Sequence, residues 1–106
     1  MTTIRMGLML APLDHPQCQK IETFERKVGQ NGYKQQCCRI TEGFDQRGLG
    51  IPGDARIVIV VPHPKGDALE FMVEHSGLPE SATMSQLPVV QPRWDGDRFL
   101  GWEVLK

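Results

Sequence analysis

The amino-acid sequence predicts an α+β domain: a sheet of four to five strands, two helices on one of its faces and a C-terminal β-hairpin. Three observations carry this expectation. Ile57-Val58-Ile59-Val60-Val61 is an unbroken run of β-branched apolar residues. It reads as a strand buried on both faces, because a one-sided strand would alternate with polar residues. Asp14 and Asp67 each stand three residues before a Gln or Glu, the spacing of a capping box that opens a helix. Asp95-Gly96 separates two strand-like stretches near the C-terminus, and Gly accepts the positive φ that a two-residue hairpin turn needs.

Taken in order, residues 4–10 read as a first strand, with Ile4, Met6, Leu8 and Leu10 on one face and Arg5, Gly7 and Met9 on the other. Asp14 then caps a helix with Pro16 in its first turn and Leu13 and Cys18 as a hydrophobic staple. Cys18, Ile21, Phe24 and Val28 form its apolar stripe, and Gly29 and Gly32 end it. Residues 33–41 form a second strand; neither face is strongly apolar, so it is expected to be exposed or paired with a partner. Gly43, Gly48, Gly50, Gly53 and Pro52 make residues 42–55 a long irregular loop. The apolar strand 56–62 follows at the centre of the sheet and stops at Pro62.

Asp67 opens the second helix, with Leu69, Phe71, Met72 and Val73 as its apolar side. Gly77 ends it, Leu78 folds back on Val73, and Pro79 forbids continuation. Residues 87–94 and 98–105 are the hairpin strands. Pro88 and Pro92 cannot donate to a ladder, which makes 87–94 an edge or irregular strand. The order β-α-β-loop-β-α-β-β begins as the split β-α-β, or ferredoxin-like, pattern.

A chain of 106 residues fits one domain spanning 1–106, long enough for one modest core. With 40% hydrophobic and 24% charged residues and a formal net charge of -1, it lacks the basic excess of a nucleic-acid binder. No apolar run approaches the roughly 20 residues that span a bilayer, so no membrane partner is expected. The N-terminal apolar run ends at Ala11-Pro12-Leu13-Asp14, short of a signal peptide. Three cysteines, an odd number, fit a reducing compartment and a cytoplasmic protein.

Residues that could carry chemistry are few. No His or Cys pair has zinc-site spacing, so neither a metal nor another cofactor is expected. No Ser sits in a nucleophile elbow. His63, stiffened between Pro62 and Pro64, and His75, beyond the second helix's apolar stretch, are the acid–base candidates if the chain is an enzyme. Against that stands the plain reading of loop histidines and small core cysteines. Arg47, Gly48, Gly50 and Arg56 could build an anion nest. The loop lacks the phosphate-binding Gly patterns, however, and leads into a strand rather than a helix. Trp94, Phe99 and Trp102 are candidate interface residues. Strict alternation puts Trp102 with Leu100 and Val104, opposite Phe99, so no one face would hold all the aromatics; they could equally stabilise the hairpin alone.

Function is therefore expected to be that of a binding or interaction module without catalysis, contacting a protein or small ligand and acting as a homodimer. Two helices cover one sheet face only, and a symmetric partner would bury the other. The rival expectation is a small cofactor-free enzyme of the dimeric α+β barrel kind using His63 or His75. A long loop in this element order, over about residues 4–76, is similar to the PII-like signalling proteins, and that resemblance implies ligand sensing without naming any site residue.

Overall fold

The computed structural model describes residues 4–30, 32–63, 65–81 and 87–105. Its strands are β1 (Ile4–Pro12), β2 (Ile21–Val28), β3 (Tyr33–Ile40), β4 (Arg56–Pro62), β5 (Ala68–Glu74), β6 (Glu80–Ser81), β7 (Val89–Asp95) and β8 (Arg98–Leu105). The main sheet runs β4-β5-β1-β7-β8, with β6 beside the start of β1, and β2 and β3 form a separate hairpin.

Among the described residues the helical structure is limited to two short turns, Cys18–Lys20 and Gln46–Leu49. The α+β, ferredoxin-like architecture with two helices on one face is thus replaced by a mostly β one, and the element order behind the PII likeness and the α+β barrel goes with it. No helix among the described residues is long and apolar enough to cross a membrane.

Why the two helices fail is visible in their residues. As a strand, β5 places Leu69, Phe71 and Val73 on one face, and all three are buried. A helix started at Asp67 would rotate Phe71 away from the stripe through Leu69, Met72 and Val73. In the first segment, the Gln17 side chain does not return to cap the turn. Its Oε1 accepts the Asp45 N–H at 2.8 Å instead. The chain leaves the Cys18–Lys20 turn directly into β2, which pairs with β3 from Ile21↔Ile40 to Val28↔Tyr33.

The core lies on one face of the main sheet. Met9, Ala11, Val60, Leu69, Phe71 and Val73 come from the main sheet; Cys18, Ile51 and Ala55 cover them from the connections and Ile21 from the start of β2. Phe44 stacks on Phe71 with ring centroids 6.4 Å apart. The irregular loop 42–55 is therefore a packed layer: Ile51 is fully buried, and Gln46 Nε2 donates to the Pro52 and Ala55 carbonyls at 2.8 and 2.9 Å. That layer does for this sheet what the expected helices would have done.

Two further expectations change. β4 is an edge strand, not the centre. A bulge leaves Val58 between the pairs Ile57↔Val73 and Ile59↔Met72. The hairpin turn is Gly96-Asp97, flanked by Asp95↔Arg98, one residue later than Asp95-Gly96. Gly96 takes φ 62 while no non-glycine has positive φ among the described residues, the sense of a type II′ turn.

Candidate functional site

The site begins where two parallel strands part. β1 and β7 share one register pair, Leu8↔Val89, with the Leu8 N–H donating to the Pro88 carbonyl at 2.8 Å. Continuing the parallel ladder would require residue 92 to donate to the Leu10 carbonyl, and Pro92 has no N–H. The expectation of an irregular strand at Pro88 and Pro92 is met in this form, although β7 lies inside the sheet, between β1 and β8.

The turn Gln46–Leu49 and Gly50 stand at this fork. Asp45 caps the turn, its Oδ1 accepting the Arg47 N–H at 3.0 Å. Gly50 has φ +86, and a Cβ there would stand 3.0 Å from Pro92 Cγ, so glycine is required on both counts. Trp94 Nε1 donates to the Gly50 carbonyl at 2.7 Å. Phe99 meets the Trp94 ring edge-on, with centroids 5.1 Å apart. The indole is thereby held from two directions while 36% of the residue stays exposed.

Two open clefts adjoin at Trp94 and Gly50. The larger, about 640 Å³, is lined by Asp45, Arg47, Gly48, Gly50, Trp94, Gly96 and Asp97. The smaller, about 310 Å³, has Met9 to Pro12, His15, Leu49, Gly50, Gln91, Pro92 and Trp94 around it. Arg47 reaches Asp45 at 3.6 Å, with both side chains largely exposed. The larger cleft thus combines a fixed aromatic wall, one guanidinium and two carboxylates.

Three of the four expected ligand residues, Arg47, Gly48 and Gly50, come together here with Trp94. Arg56 does not join them: it pairs with Glu74 at 3.4 Å across β4 and β5. Nor does the loop offer an anion nest at these positions. The Gly48 N–H donates to the Asp45 carbonyl and the Gly50 N–H to the Arg47 carbonyl, both at 3.0 Å, and the Arg47 N–H goes to the Asp45 carboxylate. Nests bind anions with free N–H groups, and these are spent.

The aromatics gather because of a second bulge. Arg93 pairs with Gly101 and Trp94 with Phe99, which leaves Leu100 as the extra residue, and Gly101 takes φ 128. The bulge breaks the strict alternation and brings Phe99 and Trp102 together, centroids 5.6 Å apart. Glycine inside a strand is the sequence signal for such a bulge.

His75 sits in the same cluster, 5.7 Å from Phe99 and 5.8 Å from Trp102 between centroids. Its Nδ1 accepts from Trp102 Nε1 at 3.0 Å and from the Gly77 N–H at 3.1 Å. Two donors on one nitrogen leave the ring proton on Nε2, where it faces Asp54 Oδ1 at 3.0 Å. With both nitrogens engaged and the side chain 8% exposed, His75 ties β5, β8 and the 42–55 loop together. His63 lies elsewhere, on a cavity of about 350 Å³ with Leu13, Thr23 and Leu69, and its Nδ1 accepts the Lys65 N–H at 3.2 Å.

Two of the thiols pack on the core, Cys18 within it and Cys38 against it. Burial, then the Asp14 carboxylate, pushes the Cys18 thiol up from its ordinary value; burial, then Cys37, does the same for Cys38. Among the described residues no three His, Cys, Asp or Glu side chains are grouped to hold a metal ion. Sequence reasoning missed Asp45 and Asp97, whose place in the cleft depends on contacts distant in the chain. No protein-family model, curated protein or solved structure matches this chain.

Proposed function

We propose that the chain is a binding module without catalysis that holds a small polar ligand against Trp94, between the 45–50 turn and the β7–β8 hairpin. The observation that carries this is the indole, anchored through Nε1 to Gly50 and braced by Phe99 yet still partly exposed beside Arg47, Asp45 and Asp97. A wall fixed before binding loses little freedom when a ligand arrives, and such preorganisation favours affinity. His75 supports a structural rather than an acid–base role, because both of its ring nitrogens are occupied. Backbone amide spectra recorded against a set of polar small molecules test the proposal. Shifts should cluster at residues 45–50 and 94–97; a response confined to the His63 cavity would refute it.

Self-association is a second reading, supported by the free edge of β8. That strand pairs with β7 alone among the described residues and exposes Leu100, Val104 and Leu105, and an open apolar edge is a template for pairing with a second copy. Sedimentation at micromolar concentration tests it: Val104→Lys should abolish a dimer, and a monomeric unsubstituted chain would end this reading. The cytoplasm remains the proposed compartment, in keeping with three free thiols at Cys18, Cys37 and Cys38.

A further inference from the structure

We infer that the ligand class of the Trp94 cleft is a neutral oligosaccharide whose sugar rings straddle the indole; this rests on the reading that the cleft binds a ligand. The Trp94 N–H is committed to the Gly50 carbonyl, so the ring contributes its surface and not a donor. An aromatic face carries partial negative charge, and the flat C–H face of a pyranose presents partial positive charge to it. A planar aromatic ligand would want a second ring opposite. None of the described residues lining the larger cleft provides one, and Phe99 meets Trp94 edge-on.

The charges make the same selection. A phosphate or carboxylate would meet Asp45 and Asp97 against the single cation Arg47, with the Arg47, Gly48 and Gly50 N–H groups already used. A polyamine would meet Arg47. Hydroxyl groups both donate and accept, so a sugar can donate to the two carboxylates and accept from the guanidinium with no net charge of its own. Such charge-assisted hydrogen bonds are stronger than neutral ones.

The smaller lobe extends the site. Leu49 and Pro92 give it apolar walls, and His15 and Gln91 give it polar edges. His15 Nδ1 accepts the Gln17 N–H, which leaves Nε2–H as a donor. Gln91 Nε2 donates to Glu103, which leaves its Oε1 as an acceptor. Apolar surface with polar atoms at its margin suits a second sugar ring, and the two lobes meet at Trp94.

The test is a titration of the full chain, followed by amide and indole N–H spectra, with maltohexaose, cellohexaose, fully N-acetylated chitotetraose and mannohexaose at millimolar concentration. Inorganic phosphate and spermine are the charged controls. At least one oligosaccharide should shift the Trp94 indole signal and the Gly50 and Gly96 amides, and bind roughly tenfold more tightly than its monosaccharide. Trp94→Ala should weaken that binding by about tenfold or more. Because Trp94 also anchors Gly50, the exposed substitutions Arg47→Ala and Asp97→Asn provide the second arm, each weakening binding several-fold while leaving other signals in place. Oligosaccharide shifts that map outside the cleft, or that persist unchanged in these variants, overturn the inference. Silence toward all four sugars with a cleft response to phosphate or spermine overturns the sugar class and keeps the binding module. Silence toward every probe removes both.

Discussion

β4 and β5 are paired neighbours in one sheet, yet the more apolar of the two is the more exposed. β4 carries the longest run of β-branched residues in the chain, and Val58 and Ile59 are 40% and 49% exposed. β5 carries Glu70 and Glu74, and its Leu69, Phe71 and Val73 are almost wholly buried. The difference is position. β5 lies between β4 and β1, under Phe44 and the 42–55 layer, whereas β4 closes the sheet. β-Branching makes a strand in either place; a strand's depth is set by what stands on its two sides and two faces.

The largest test of this contrast is Phe71→Ala, which should cost about 3–5 kcal/mol in a denaturant melt, the range for emptying a packed aromatic site. A loss near that of a surface change would mean the core does not centre on β5. Next comes Gly7→Ala in β1, the strand on the other side of β5. The added Cβ would stand 2.8 Å from Val90 Cγ2 and 3.3 Å from Leu78 Cδ2, and overpacking of this kind costs about 1–3 kcal/mol. On the edge, Ile59→Ala should cost about 1 kcal/mol or less, since a half-exposed side chain has less apolar surface to lose. A cost matching Phe71→Ala would show that β4 is covered in solution, as a partner on that edge would cover it.

The smallest effect concerns the thiols, one on each side of the comparison. Cys18 belongs to the core beneath β5; Cys38 lines the narrow cleft between the β2–β3 hairpin and β4, with Ile59 and Val60. Both hold their protons more tightly folded than unfolded. Their contribution to stability is therefore complete below the ordinary thiol value of 9.0 and lost as pH rises through the folded values. Unfolding free energy should decline from about pH 9 upward, and Cys18→Ala and Cys38→Ala should each flatten that decline. A slope unchanged in both variants would contradict the assignment.

The candidate site was half legible. In the sequence Arg47, Gly48 and Gly50 stand out as a Gly-rich loop with a cation, and Trp94 as a candidate interface aromatic, but nothing local joins them. They are joined by the missing N–H of Pro92, the bond from Trp94 to Gly50 and the left-handed φ of Gly50. Alternation alone puts Phe99 and Trp102 on opposite faces, and the extra residue Leu100 overrides it.

By itself the sequence determined that residues 4–10, 33–41, 56–62 and 98–105 are strands, that the last two strands form a hairpin, and that 42–55 is irregular. Alternation, β-branching and glycine act over a few residues, and no distant contact opposed them. Tertiary structure alone decided that residues 21–28 and 68–74 are strands. A capping residue such as Asp67 contributes about 0.5–2 kcal/mol, whereas burying each of Leu69, Phe71 and Val73 contributes about 1.5–3 kcal/mol. A strand buries all three on one face against Phe44, Ile51 and Met9. The local signal for a helix was genuine and too weak to prevail against that burial.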